Sequence, residues 1–451
     1  MTTEQPPLPN SEFLDATRAA DGITVPVAPE TVEESGLDPQ FLLKLALKSI
    51  YVTNLETAPD LADYMKLSGM VVHETLESAK EKRLLEVLGL SEARSSVYRY
   101  ALTSTGRDWA LEALSQCQYT GPAPVPLDTF RKQVLAQSIT RDQVTPESMA
   151  RALAHLVLPE GTISRLGPAA NSARALLLYG EPGNGKTSIA LALGRAFDHA
   201  IYLPYCIEAD GQIIRFYDPS VHALWEGEAP ELPIGREVDP RWVYCRRPVV
   251  VTGGELSIDM LDLSFDPLSK TYEAPAHMKA SGGLFIADDL GRQRVRAHEL
   301  INRWIMPLER RIDFLTLHTG KKLEIPFDQL VVFSTNSPPQ ELIDAAGMRR
   351  IPYKFHVPVP THEEYVQILR NACAAQSLEV PEGVISYLLD EFYPKTGVPI
   401  SSVHPRFIVE HVIERCRFEG RYPELTLELI HDAAENLIVD GEPPPVPRQS
   451  H

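Results

Sequence analysis

The chain has 451 residues, 44% hydrophobic and 23% charged, enough for two or three domains of about 150 residues with sizeable cores. Its 61 acidic residues outnumber 43 basic ones, and the formal net charge of −18 argues against a broad nucleic-acid or anionic-membrane surface. No run approaches the roughly 18 apolar residues of a membrane span, and residues 1–13 have neither the basic start nor the apolar stretch of a signal peptide. Five cysteines (Cys117, Cys206, Cys245, Cys373, Cys416) stand far apart without zinc or redox spacing, so they read as free thiols in a reducing cytoplasm.

Residues 1–36, rich in Pro, Glu and Thr, read as disordered. A compact block is expected over 37–116. Phe41, Leu42, Leu45 and Ala46 have helical spacing. Thr57 is placed to cap a short second helix, with Asp60 three residues on, and Ser68 to cap a third from 71 to about 86. Residues 98–103 alternate like a strand, Thr105-Gly106 ends it, and 107–114 resume a helix. Three helices, a hairpin and a closing helix resemble a winged helix-turn-helix. Its third helix sets Glu74, Glu77 and Glu81 against Lys80, Lys82 and Arg83. That near-neutral balance favours protein docking over DNA contact, which wants excess positive charge to neutralise phosphates. Residues 117–139, with Pro122, Pro124 and Pro126, read as a Pro-rich, semi-rigid linker. An α/β block over 140–360, a helical segment over 361–440 and a disordered Pro-rich tail over 441–451 complete the chain.

In the α/β block, the apolar strand 175–179 runs straight into Gly180-Glu181-Pro182-Gly183-Asn184-Gly185-Lys186-Thr187, and a helical stretch follows from Ser188 to Phe197. This is G-x-x-x-x-G-K-[ST] in its strand–loop–helix setting. Glycines let backbone amides approach phosphate oxygens without a Cβ in the way, and the helix N-terminus adds partial positive charge. Lys186 is expected to neutralise the β- and γ-phosphates of ATP, and the Thr187 hydroxyl to ligate Mg²⁺. The phosphate-binding set is therefore residues 180–188.

About 100 residues on, Gly282-Gly283-Leu284-Phe285-Ile286-Ala287 ends in Asp288-Asp289, an apolar strand closing on two carboxylates. Asp288 is expected to hold Mg²⁺, and Asp289 to orient or deprotonate an attacking water. A third apolar strand, 330–335, ends in Asn336, where a polar side chain faces the crevice in which α/β sheets bind ligands.

In this order the motifs resemble the AAA+ superfamily, and within it the MoxR-like ATPases. The match rests on 265–273, similar to a hairpin inserted ahead of the acidic strand; on 285–292; on 307–326, similar to a second hairpin with Thr319-Gly320-Lys321 as its turn; and on Met348-Arg349-Arg350-Ile351, similar to an arginine-finger segment. The resemblance implies a three-layer P-loop AAA+ domain with a C-terminal helical lid. It implies Arg350 as the finger, with Arg349 the other choice, and Arg406 of His404-Pro405-Arg406 as a lid contact to the same subunit's nucleotide. It further implies a ring of identical subunits, a hexamer by preference, that hydrolyses ATP to remodel a protein client. A DNA-acting ATPase anchored by the winged helix and a nucleotide-gated scaffold with little turnover are the alternatives. The family has Glu where this chain has Asp289. The aromatic stretch 204–222 and Tyr272 lie where pore or insert elements are expected, with core packing favoured over substrate contact for Tyr217 and Tyr272.

Overall fold

The computed structural model describes residues 24–91, 97–230, 232 and 236–438. The chain divides into two compact units. The first combines the described residues up to Asp142 with Asp198–Phe285 and Glu299–Leu330; the second combines Gln143–Phe197, Ile286–His298 and the described residues from Val331. The expected border near 139 lies close to the cut after Asp142, while those near 116 and 360 fall inside a unit.

In the first unit, Asp38 caps Pro39–Thr53 by accepting from the amides of Gln40 and Phe41. Thr57 and Ser68 cap Ala58–Met65 and Gly69–Glu81, the positions their side chains predict. The third helix stops at Glu81 instead of reaching 86. Arg83 turns the chain with a left-handed φ of 57°, and Leu85–Leu90 leaves as a strand antiparallel to Tyr98–Leu102. Leu84, Val87 and Leu88 continue the helix's three-to-four spacing, so periodicity alone hides the break. The closing helix is Ser104–Gln116, capped by Thr103 through the amide of Gly106. Gly106 therefore lies inside the helix rather than in a turn. A Cβ there would sit 2.0 Å from the Leu84 carbonyl oxygen, so only glycine permits this approach. Leu42, Leu47 and Val71 fill the core of the block.

Two expected flexible segments are built into the first unit. Val125–Pro126, read as linker, pairs parallel with Cys206–Ala209 and joins a five-stranded sheet with Gln212–Arg215, Thr271–Glu273 and Ser264–Asp266. Val125 is fully buried, and so is Phe130 of the following helix Leu127–Ala136, 5.2 Å from the Phe216 ring. The alternating prolines do not interfere, because this strand lies at the sheet's edge. The disorder expected over 1–36 does not hold for 24–36: Val25 is fully buried, and Val27 bridges Val238. Residues 1–23, 439–440 and the tail 441–451 lie outside the described residues. Tyr272 is buried in the same core as Phe216, and Tyr217 packs against it, as core-packing residues do. The second hairpin pairs Ile312–Thr316 with Lys322–Pro326.

The α/β sheet runs in the order Tyr353–His356, Leu176–Tyr179, Leu330–Thr335, Leu284–Ala287, Val249–Thr252. Leu176–Tyr179 is parallel to both its neighbours. Strands covered on both faces become near-continuous apolar runs, and every residue of Leu330–Thr335 is buried. The first strand in the chain thus lies between the fourth and the fifth. Such a reversal of strand order opens a crevice at the strands' carboxyl ends. The C-terminal part of the second unit is helical, chiefly His362–Ala374, His404–Phe418 and Leu427–Glu435, with its own core around Leu369, Leu388, Phe392, Ile408 and Ile430. The α/β class with a helical C-terminal part is the expected one.

Candidate functional site

The loop after Leu176–Tyr179 turns through three glycines at positive φ: Gly180 (146°), Gly183 (77°) and Gly185 (84°). A Cβ on Gly180 would meet the Val357 carbonyl oxygen at 2.2 Å, and one on Gly183 would meet the Ser401 hydroxyl at 2.5 Å. Gly180 and Gly183 thus answer both a dihedral and a packing demand, and Gly185 a dihedral one alone. Gly185 caps the helix Lys186–Gly194, which starts two residues earlier than expected and stops at Gly194 rather than Phe197. Its first-turn amides are left for a ligand, and its dipole favours an anion there.

Lys186 is buried, and its amine donates to the carbonyls of Gly180 (2.9 Å) and Glu181 (2.7 Å). Burial holds the amine below its ordinary range, while the carboxylates of Asp289 and Asp288 act in the opposite sense. The Thr187 hydroxyl donates to Asp288, 3.0 and 2.9 Å from its two oxygens. Ser334 also donates to Asp288, and Gln293 holds the Asp288 carbonyl at 2.6 Å. Asp289 has a left-handed φ of 53°, its amide donates to Ser334, and its carboxylate accepts from the Asn336 side chain at 2.9 Å. Three expected strand ends therefore meet at one point: the loop, the acidic pair and Asn336.

These groups line a cleft of about 890 Å³ within the second unit, ample for a nucleotide. Residues 182–188 line it directly with Asp288, Asp289, Asn336 and Arg406. Gly180 and Glu181 do not; they hold the Lys186 amine from below. Arg406 stands on the wall, paired with Glu410 at 2.6 Å. Arg350 is not among the lining residues: it ends the helix Ala345–Arg350 and donates to the Ala346 carbonyl at 2.7 Å. Arg349, beside it, is exposed.

The sequence reading missed several wall residues. The segment 155–158, Ile368 and Asn371 complete the cleft, and Arg292 lines it just beyond the acidic pair. Ser334 carried a usable signal, as a hydroxyl in an otherwise apolar strand. The loop is also tied to the helical part: the Ser402 amide donates to the Asn184 side chain at 3.0 Å. Nothing in the motif announced that bond.

The donor chemistry suits Mg²⁺, a hard cation that prefers oxygen ligands and retains waters. One hydroxyl and one carboxylate, Thr187 and Asp288, offer such a partial set. Among the described residues no group of three or more His, Cys, Asp or Glu is placed to hold a metal ion.

Three comparisons with known proteins bear on the chain. Residues 361–436 match the model of a domain of unknown function (DUF8689). A mitochondrial sorting homolog from Caenorhabditis elegans is 27% identical over 203 residues, which cover 44% of this chain and 42% of that protein. The chain thus spans less than half the length of this curated relative. Solved structures that resemble it do so distantly. NtrX from Brucella abortus has a TM-score of 0.40 at 12% identity, covering 72% of this chain and 66% of its own. A RuvB variant from Thermotoga maritima has 0.35 at 12%, covering 67% and 74%. The AAA domain of FIGL-1 has 0.36 at 13%, covering 64% and 84%.

Proposed function

We propose that this chain is an ATP-hydrolysing AAA+ ATPase of the MoxR-like kind, which works as a ring of like subunits on a protein client. The observation that carries the reading is the meeting of two couples in one cleft, Thr187 with Asp288 and Asp289 with Asn336, around the glycine loop. ATP would lie with its phosphates along 182–188, drawing the Lys186 amine from its two carbonyls to the β- and γ-phosphates. Thr187 and Asp288 would hold Mg²⁺, which would supply charge neutralisation to the phosphates. Asp289 takes a proton from the attacking water, and Asn336 fixes the carboxylate that does so. The water oxygen bonds to the γ-phosphorus in line as the bond to the β-phosphate oxygen breaks.

Arg350 would complete the site of the neighbouring subunit. Its position outside the cleft of its own chain supports that trans role, and Arg406 would leave Glu410 for the nucleotide of its own chain. The helical part from 361 would act as the lid. The block over 37–116 is read as a winged helix used for protein docking. Charges of its third helix are engaged within the chain, Lys80 with Glu77 and Glu74 with the Val32 amide, which supports docking over DNA contact. Five free thiols support a reducing, cytoplasmic setting. No helix among the described residues is long and apolar enough to cross a membrane.

Light scattering with Mg²⁺ and a slowly hydrolysed ATP analogue should give a closed ring, with a hexamer the expected size. A chain that stays monomeric at every nucleotide and protein concentration overturns the ring.

A further inference from the structure

A second cavity, of about 480 Å³, lies within the first unit. Its walls come from the helix Pro39–Thr53, the end of Ser104–Gln116, the hairpin of Cys206–Ala209 and Gln212–Arg215, and the turn at Lys270. Three lysines converge on it from two elements. Lys44 and Lys48 stand one helical turn apart, and Lys270 arrives from the hairpin turn.

Among the described residues none of the three is paired with a carboxylate. Lys44 donates to the Gln116 side-chain oxygen at 3.0 Å, Lys48 to the Cys117 carbonyl at 3.0 Å, and Lys270 to the Ser115 carbonyl at 2.5 Å. Each ammonium carries three N–H donors; Lys44 and Lys270 each engage one neutral oxygen, and Lys48 engages the Cys117 carbonyl with the Cys117 side chain beside it. The two carboxylates on the wall each accept backbone amides through one oxygen, Asp38 those of Gln40 and Phe41, and Glu208 that of Gly211. Lys48 is only 5% exposed. Burial holds its amine below the ordinary range; the Cys117 side chain, within reach of the amine, acts in the opposite sense, and the charge of Lys44 adds slightly to the lowering.

Attraction to the last carbonyls of a helix accounts for the bonds of Lys48 and Lys270. It does not account for a buried ammonium without a counter-charge, which is costly to keep. A chain with a formal net charge of −18 has carboxylates to spare, and among the described residues no ion pair reaches these lysines. Phe41, Leu45 and Ile213 add apolar wall.

The geometry points to a binding site for a small phosphate-bearing anion, with Lys48 at its floor and Lys44 and Lys270 nearer the mouth. A phosphate supplies the counter-charge and strong acceptor oxygens in one group. The volume leaves room for an organic part against the apolar wall. Inorganic phosphate and a phosphorylated metabolite share this chemistry.

The test uses the full chain carrying Lys186→Ala, which removes the lysine of the nucleotide loop. Calorimetric titration with inorganic phosphate, pyrophosphate and AMP is compared with the same chain carrying Lys44→Gln and Lys270→Gln in addition, both at partly or fully exposed positions. Saturable binding that weakens at least about tenfold in the second chain is expected, since two of the three charged donors are lost. Phosphate binding as tightly as AMP identifies the free anion as ligand; tighter AMP binding identifies a phosphorylated metabolite. Equal binding in both chains, or no saturable binding up to on the order of 10 mM, overturns the site. Lys48→Met keeps the volume and removes the charge. It should raise the Tm of the probe-free chain by about 2–4 °C and cancel the rise that the probe gives the parent. A lowered Tm would show that the fold alone satisfies the amine, and contradicts the proposal.

Discussion

Asp289→Asn is expected to lower kcat for ATP hydrolysis by about 10²–10⁴ while ATP affinity stays within a few-fold. The substitution isolates charge from shape. Asp289 occupies a left-handed backbone conformation (φ 53°), which Asp and Asn tolerate better than other side chains with a Cβ. Asn keeps that backbone, and its side-chain oxygen still accepts from Asn336 as the carboxylate does now. Only the proton acceptor for water is lost. The same dihedral gives a reason for Asp at this position rather than Glu, whose longer side chain lacks the local hydrogen bonding that makes this conformation tolerable. Single-turnover hydrolysis with nucleotide binding measured in parallel checks the split. A variant that hydrolyses at the parent's rate removes Asp289 from the chemistry; one that no longer binds ATP makes it a binding residue.

Arg350→Ala should cost more, about 10³–10⁵ in kcat, the range lost with an arginine finger. ATP binding to the isolated chain should be unaffected, because Arg350 does not line its own cleft. The trans role has a sharper consequence. Mixing Arg350→Ala chains with Lys186→Ala chains should restore activity that neither possesses alone, since the first supplies an intact loop and the second an intact arginine. Absence of rescue in mixed rings, with both variants assembled, places Arg350 outside the reaction. Arg349, exposed next to it, is the control position.

Much of the site was legible because its chemistry is written in contiguous residues. Positions 180–187 specify loop, helix start and lysine together. Two strands reveal themselves by an apolar run closing on a polar residue, at Asp288 and at Asn336. What stayed hidden depends on contacts made far along the chain. Val125 and Phe130 sit in a Pro-rich stretch whose composition reads as a spacer, yet both are fully buried against strands about 80 residues away. Composition reports on the local cost of order, not on a distant sheet edge that can repay it. Val25 is the same case near the start. The strand Leu85–Leu90 failed for another reason: its apolar residues keep a helical spacing, and the break lies in the backbone of Arg83. Wall residues such as Arg292 and 155–158 carry no motif, and Ser402 reaches Asn184 across more than two hundred positions.

Steady-state ATP hydrolysis by the full chain and by its Lys186→Ala variant, with Mg²⁺ and with ring assembly followed in the same samples, tests the central claim most directly. Mg²⁺-dependent turnover by the parent and its loss in the variant, with the fold unchanged, is the predicted result. A parent chain that assembles and binds ATP but releases no phosphate, with or without client protein, contradicts it and leaves a nucleotide-gated scaffold as the better account.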